Sequence, residues 1–142
     1  MKLTKFFALL FAFSAMTFTF TACGDDEEDI NNLEKEIEDN KPSATITKNT
    51  PSELELVINR PGMYTEIYNA KFDNEGFATE ATISLVYSNE DLAKKTYEDL
   101  RKDDPTVKLN GKTVIIDITE AYEGLFHDDV LLIFDDLKNT AF

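Results

Sequence analysis

Fifteen consecutive positions near the start of the chain, Phe6 to Phe20, contain only three residues that are not hydrophobic: Ser14, Thr17 and Thr19. Six of the eleven phenylalanines lie in this run. A small domain cannot place so long an apolar stretch on its surface, so these residues are set apart from whatever folds downstream. Met1-Lys2-Leu3-Thr4-Lys5 supplies a short basic start, and small residues follow the run. Basic start, apolar stretch and small residues before a cleavage point are the parts of a secretory signal. A permanent transmembrane anchor is the rival reading, because about eighteen apolar residues can just span a bilayer. Phe6 to Cys23 is at the bottom of that range and ends at a cysteine, which favours a signal covering residues 1–22.

Thr21-Ala22-Cys23-Gly24 resembles the lipobox of bacterial lipoproteins, in which small residues precede the cysteine and a small residue follows it. The leucine usual three residues before the cysteine is Phe20 here. The resemblance covers about the first thirty residues, to which it is confined. It implies a diacylglyceryl thioether at Cys23, cleavage before it, and acylation of the new amine. Each buried methylene contributes about 0.8 kcal/mol, and two or more acyl chains hold a protein stably where one does not. Used this way, the only cysteine of the chain is available neither for a disulfide nor as a catalytic thiol. Directly after Gly24 come five carboxylates, Asp25, Asp26, Glu27, Glu28 and Asp29. Such a run resembles the acidic export signal that some Gram-negative bacteria place behind the lipidated cysteine. It implies an outer-membrane lipoprotein facing the cell exterior, with the periplasmic face as the alternative. Five adjacent carboxylates stay hydrated and avoid an anionic headgroup layer.

Residues 23–42 then read as an acidic tether. Ile30, Leu33 and Ile37 have helical spacing, but three apolar residues make a thin stripe and short isolated helices are marginal. A flexible segment of this length reaches roughly 25 Å, and Pro42 marks the edge of the domain.

Residues 43–142 hold enough chain for one hydrophobic core and no more. Without Lys2 and Lys5 the chain carries 12 basic against 28 acidic residues, a net −16. Nucleic acid is excluded as a partner by this balance, since binding it requires Lys and Arg to neutralise phosphates.

Ala44 to Lys48 is β-rich and is stopped by Asn49-Thr50-Pro51. From Glu53 to Asn59, Leu54, Leu56 and Ile58 alternate with Glu53, Glu55 and Val57, and Arg60-Pro61-Gly62 supplies a turn. Met63 to Phe72 fits two patterns. Met63, Tyr64, Ile67, Tyr68 and Phe72 are nearly helical in spacing, yet Tyr64, Tyr68 and Phe72 also share one strand face. The turn sequence Asp73-Asn74-Glu75-Gly76 and the β-rich Phe77–Ser88 favour a hairpin of two long strands. Ser88 is the expected N-cap of a helix with Leu92, Ala93, Thr96, Tyr97 and Leu100 on its inner face, ended by Asp103-Asp104-Pro105. Asn110-Gly111 predicts a type I′ hairpin loop that sets Val107 opposite Val114. A last helix is expected from Asp128, with Val130, Leu131, Ile133, Phe134 and Leu137 inward. Strands, helix, hairpin and helix in that order predict a two-layer α+β fold, an antiparallel sheet with two helices packed on one face. Strand order does not follow from the pattern.

Residues able to carry chemistry are sparse. His127 is the only histidine, beside Asp128-Asp129, and zinc sites gather three or four ligands. It reads as a loop residue before a helix whose aspartates complement the dipole. No serine sits in a Gly-x-Ser-x-Gly context. The glycine of Asp73-Asn74-Glu75-Gly76 is in the fourth position where an EF-hand loop needs the sixth. Paired carboxylates can run glycoside hydrolysis, but nineteen acids in residues 43–142 make chance pairs unavoidable. Neither a metal nor a cofactor is expected. Tyr64, Tyr68 and Tyr122 are the candidate binding aromatics. The sequence thus predicts a non-enzymatic lipid-anchored module with a protein or glycan partner, touching the membrane through its anchor.

Overall fold

A computed structural model describes residues 41–142. The signal, Cys23, the carboxylates of residues 25–29 and most of the tether lie outside the described residues. The described residues form six strands and three helices: β1 (Ser43–Thr50), β2 (Glu53–Arg60), β3 (Tyr64–Phe72), β4 (Ala78–Tyr87), α1 (Glu90–Leu100), β5 (Lys108–Asn110), β6 (Thr113–Asp117), α2 (Thr119–Tyr122) and α3 (His127–Thr140). All strands join one antiparallel sheet in the order β1-β2-β3-β4-β6-β5. The first four form a meander. After α1 the chain passes to the far edge as β5 and returns inward as β6. Burial alternates along β2, with Leu54, Leu56 and Ile58 covered and the residues between them partly open. Across the ladders this side continues through Tyr68 and Ala70 of β3, Ala81, Ile83 and Leu85 of β4, and Val114 and Ile116 of β6. α3 packs over β1 and β2, and α1 over β4, β6 and β5, on this same side. The fold is two-layer α+β.

On the other side of the sheet the central residues are half-buried, and among the described residues none of the three helices packs there. One row across it runs Thr45, Val57, Ile67, Ser84 and Ile115. β-Branched residues suit such a half-covered pleated surface. The edge strand β1 runs further than expected, to Thr50, and its ladder is interrupted between Ile46 and Lys48. A bulge and an exposed lysine on an edge disfavour pairing with another chain.

Local chemistry explains the elements and their departures from expectation. Met63 to Phe72 is a strand apart from Met63, which closes the Arg60–Met63 turn by donating its N–H to the Arg60 carbonyl at 3.0 Å. Gly62 sits there at φ 76, a value that suits glycine. The cap of α1 is Asn89, not Ser88: its Oδ1 accepts the Leu92 N–H at 3.0 Å. An amide oxygen reaches a third-residue N–H as well as a hydroxyl does, so the helix starts one residue later. Only Ala93 of its expected inner face is buried, and Leu92 is 44% exposed, because α1 covers the short edge of the sheet.

The Asn110-Gly111 loop is also displaced. Asn110 pairs with Thr113 and Leu109 with Val114, which makes Gly111-Lys112 the two-residue loop. Gly111 alone has positive φ, at 57°, the pattern a type II′ turn requires at its first central position. The displacement preserves the face shared by Leu109 and Val114 but removes the expected pairing of Val107 with Val114. α3 starts at His127 with Val130 and Phe134 buried. The short α2 has no counterpart in the expected elements. It is fixed by Thr119, whose Oγ1 accepts the Ala81 N–H at 3.1 Å while its own N–H donates to Asp117 Oδ1 at 2.9 Å. No helix among the described residues is long and apolar enough to cross a membrane.

Candidate functional site

Alternation along β3 places Glu66 on the helix-covered side between Tyr64 and Tyr68. Its cross-strand neighbours are Ile58 and Leu85, so a carboxylate stands in an apolar row, only 1% exposed. Both of its oxygens are occupied. Arg60 Nε donates to Oε1 at 2.7 Å, and the Tyr68 hydroxyl donates to Oε2 at 3.0 Å. Arg60 further donates to the Ala141 carbonyl at 3.2 Å and lies 5.6 Å from the Phe142 ring centroid. One guanidinium therefore joins the β2–β3 hairpin to the residues just after α3.

The network continues across the sheet as aromatic contact. The Tyr64 and Tyr87 rings are 5.4 Å apart, and Thr96 of α1 donates its hydroxyl to Tyr87 Oη at 2.9 Å. Burial, then the negative charge of Glu66, pushes the Tyr64 phenol up to about 12. The same two causes, burial first, push Tyr68 up further still, and burial alone raises Tyr122 to about 12. With their values raised, these phenols stay uncharged near neutrality, and Tyr68 donates its hydroxyl hydrogen to Glu66. Each Glu66 oxygen accepts one hydrogen bond from within the domain and the residue is only 1% exposed, so the cluster is an internal clamp, whereas a general base needs reach to a substrate proton.

A second cluster lies where the β3–β4 turn meets the start of α3. Asp73 Oδ1 accepts the N–H groups of Glu75 and Phe77 at 2.9 Å each, which makes the loop a turn held by its own aspartate. His127 donates its N–H to the Gly76 carbonyl at 2.9 Å, and Phe77 and Phe126 form an isolated bridge. Their rings are 4.2 Å apart, with Phe126 49% exposed. The His127 ring lies 4.9 Å from that of Phe72 and its Nδ1 is 3.3 Å from Asp128 Oδ1, while its buried Nε2 has no partner among the described residues. His127 is thus the first residue of α3, with its ring turned against the core aromatic Phe72.

Of the three candidate binding tyrosines, Tyr68 and Tyr122 are core residues, meeting Phe134 edge-on at 6.2 and 6.5 Å. A ring enclosed in this way has no face to offer a ligand, which corrects the stacking expectation for both. Tyr64 is half-buried against Tyr87 and keeps some ring surface. Glu66 and Arg60 were not anticipated. The signal for them was present, because a strand that turns Tyr64 and Tyr68 inward must turn Glu66 inward too. Among the described residues no group of three His, Cys, Asp or Glu side chains could hold a metal ion. No protein-family model, no curated protein and no solved structure matches the chain.

Proposed function

We propose that the chain is a lipid-anchored protein of the bacterial outer membrane, displayed to the cell exterior, whose α+β domain is a non-enzymatic binding or accessory module for a protein or glycan. The observation that carries this reading is Cys23 in Thr21-Ala22-Cys23-Gly24, followed at once by Asp25, Asp26, Glu27, Glu28 and Asp29. An acylated sulfur holds the chain at the bilayer, and the hydrated acidic run keeps the next residues off the headgroups. The folded domain supports the reading by what its polar groups are engaged in. Its one buried carboxylate is locked between Arg60 and Tyr68, and its raised phenols hold their protons.

The test is proteinase added to intact cells. Removal of the domain supports display at the exterior. Full protection, with digestion only after the outer membrane is opened, would move the protein to the periplasmic face and make it an envelope assembly factor.

A further inference from the structure

α3 turns Val130 and Phe134 into the core. Leu132 is two residues from each, about 160° round the helix at 3.6 residues per turn, and it is 67% exposed. Asp128 and Asp129 precede it by four and three residues, and Asp135 and Asp136 follow by three and four, so all four carboxylates flank it on the helix surface. The exposed Phe126 ring, packed against Phe77, adds a second apolar group at the helix start. Residues 113–137 contain seven acids and neither Lys nor Arg.

Folding accounts for part of this face only. Asp128 and Asp129 complement the helix dipole, and Asp135 is 3.3 Å from Lys138 Nζ. Asp136 lies in the C-terminal half, where the dipole disfavours negative charge, and it forms no salt bridge among the described residues. Leu132 and Phe126 gain nothing from facing water.

We propose that this face of α3, formed by Phe126, Asp129, Leu132 and Asp136, docks an arginine- or lysine-bearing segment of a partner protein. Long cationic side chains satisfy both halves of the surface at once. Their methylenes cover Leu132 while their heads meet the aspartates, and a guanidinium over the Phe126 ring gains a cation–π contact. Anionic lipid and nucleic acid are repelled by the same charges. A neutral glycan would use the ring and leave the carboxylates idle. This deepens the binding-module reading and rests on it for the existence of a partner, but not on where the protein is anchored.

The test titrates the purified full chain in detergent with a fluorescein-labelled Arg/Ala peptide, with a Glu/Ala peptide as control. The Arg/Ala peptide alone is expected to bind. Phe126→Ser with Leu132→Ser, and separately Asp129→Asn with Asp136→Asn, each weaken it by about tenfold or more. Glu90→Gln with Asp91→Asn removes the same charge from α1 and changes it less than about twofold. Should the Phe126/Leu132 variant fail to fold, Leu132→Ser alone carries the apolar arm. Absence of binding, equal weakening by both acidic pairs, no loss in the apolar variant, or displacement by neutral oligosaccharides would each overturn the proposal. A failed titration leaves the proteinase result untouched, so the two readings fail separately.

Discussion

Arg60 Nε lies 2.7 Å from Oε1 of Glu66, the one charged residue buried among the described residues. This pair sets the energetics of the middle of the sheet. Removing one member of a buried pair leaves the other charge unmatched and costs about 3–5 kcal/mol. Arg60 is a quarter exposed, and water screens part of that loss. Glu66→Ala is therefore expected to destabilise the domain by about 2–3 kcal/mol, read as a lower urea midpoint. Arg60→Met combined with Glu66→Leu should be less destabilised than Glu66→Ala, because no charge is then left buried. A double variant worse than Glu66→Ala would show that the pair is not a mutual clamp.

Phe134 tests the core. It is 1% exposed and meets both Tyr68 and Tyr122 edge-on. Phe134→Ala should cost about 3–5 kcal/mol, as large-to-small core changes of this kind do. Urea unfolding measures it, and a loss below about 1 kcal/mol would mean that α3 does not seal the sheet.

The register of β2 predicts opposite responses at adjacent positions. Leu56 faces the helices and Val57 faces the other side. Leu56→Thr should cost about 2–4 kcal/mol, and Val57→Thr less than about 1 kcal/mol. Thermal unfolding of the two variants compares them directly. Equal effects would contradict the assignment of faces.

Alkaline pH supplies a fourth probe. The folded-state values of Tyr64 and Tyr122 are raised to about 12 and Tyr68 is raised as well, by burial first. For such groups the folded state holds protons that the unfolded state releases. Their stabilisation is complete below the ordinary tyrosine value near 10 and is lost as pH rises from there through about 12. Each of the two core phenols, Tyr68 and Tyr122, contributes a slope of up to about 1.4 kcal/mol per pH unit in that window. The melting temperature should fall steeply above pH about 10, with the phenolate absorbance of Tyr68 and Tyr122 appearing together with unfolding. Phenolate absorbance that Tyr68→Phe or Tyr122→Phe removes, developing at ordinary alkalinity in a chain that stays folded, would contradict the burial of these rings.

Much of the fold was legible because its signals are local. Alternation at Leu54, Leu56 and Ile58, the aspartate turn at Asp73, and the helical spacing of Val130 and Phe134 each arise within a few residues, and the elements formed where those signals stand. Strand order was not legible, since the return of β6 beside β4 depends on pairing between segments far apart in sequence. The displaced caps and loops are near-degenerate local choices. Ser88 and Asn89 both cap well, and Asn110-Gly111 and Gly111-Lys112 both close a two-residue loop. Glu66 escaped notice because inward-facing carboxylates run against the expectation that charged residues lie outside, and only the Arg60 and Tyr68 contacts make one tolerable there.

The most direct test of the account is metabolic labelling with palmitate of cells expressing the wild-type chain and Cys23→Ser. The account predicts label on the wild type, and in the variant an unlabelled chain that is no longer held in the outer-membrane fraction. Label retained by the variant, or none on either chain, would contradict it.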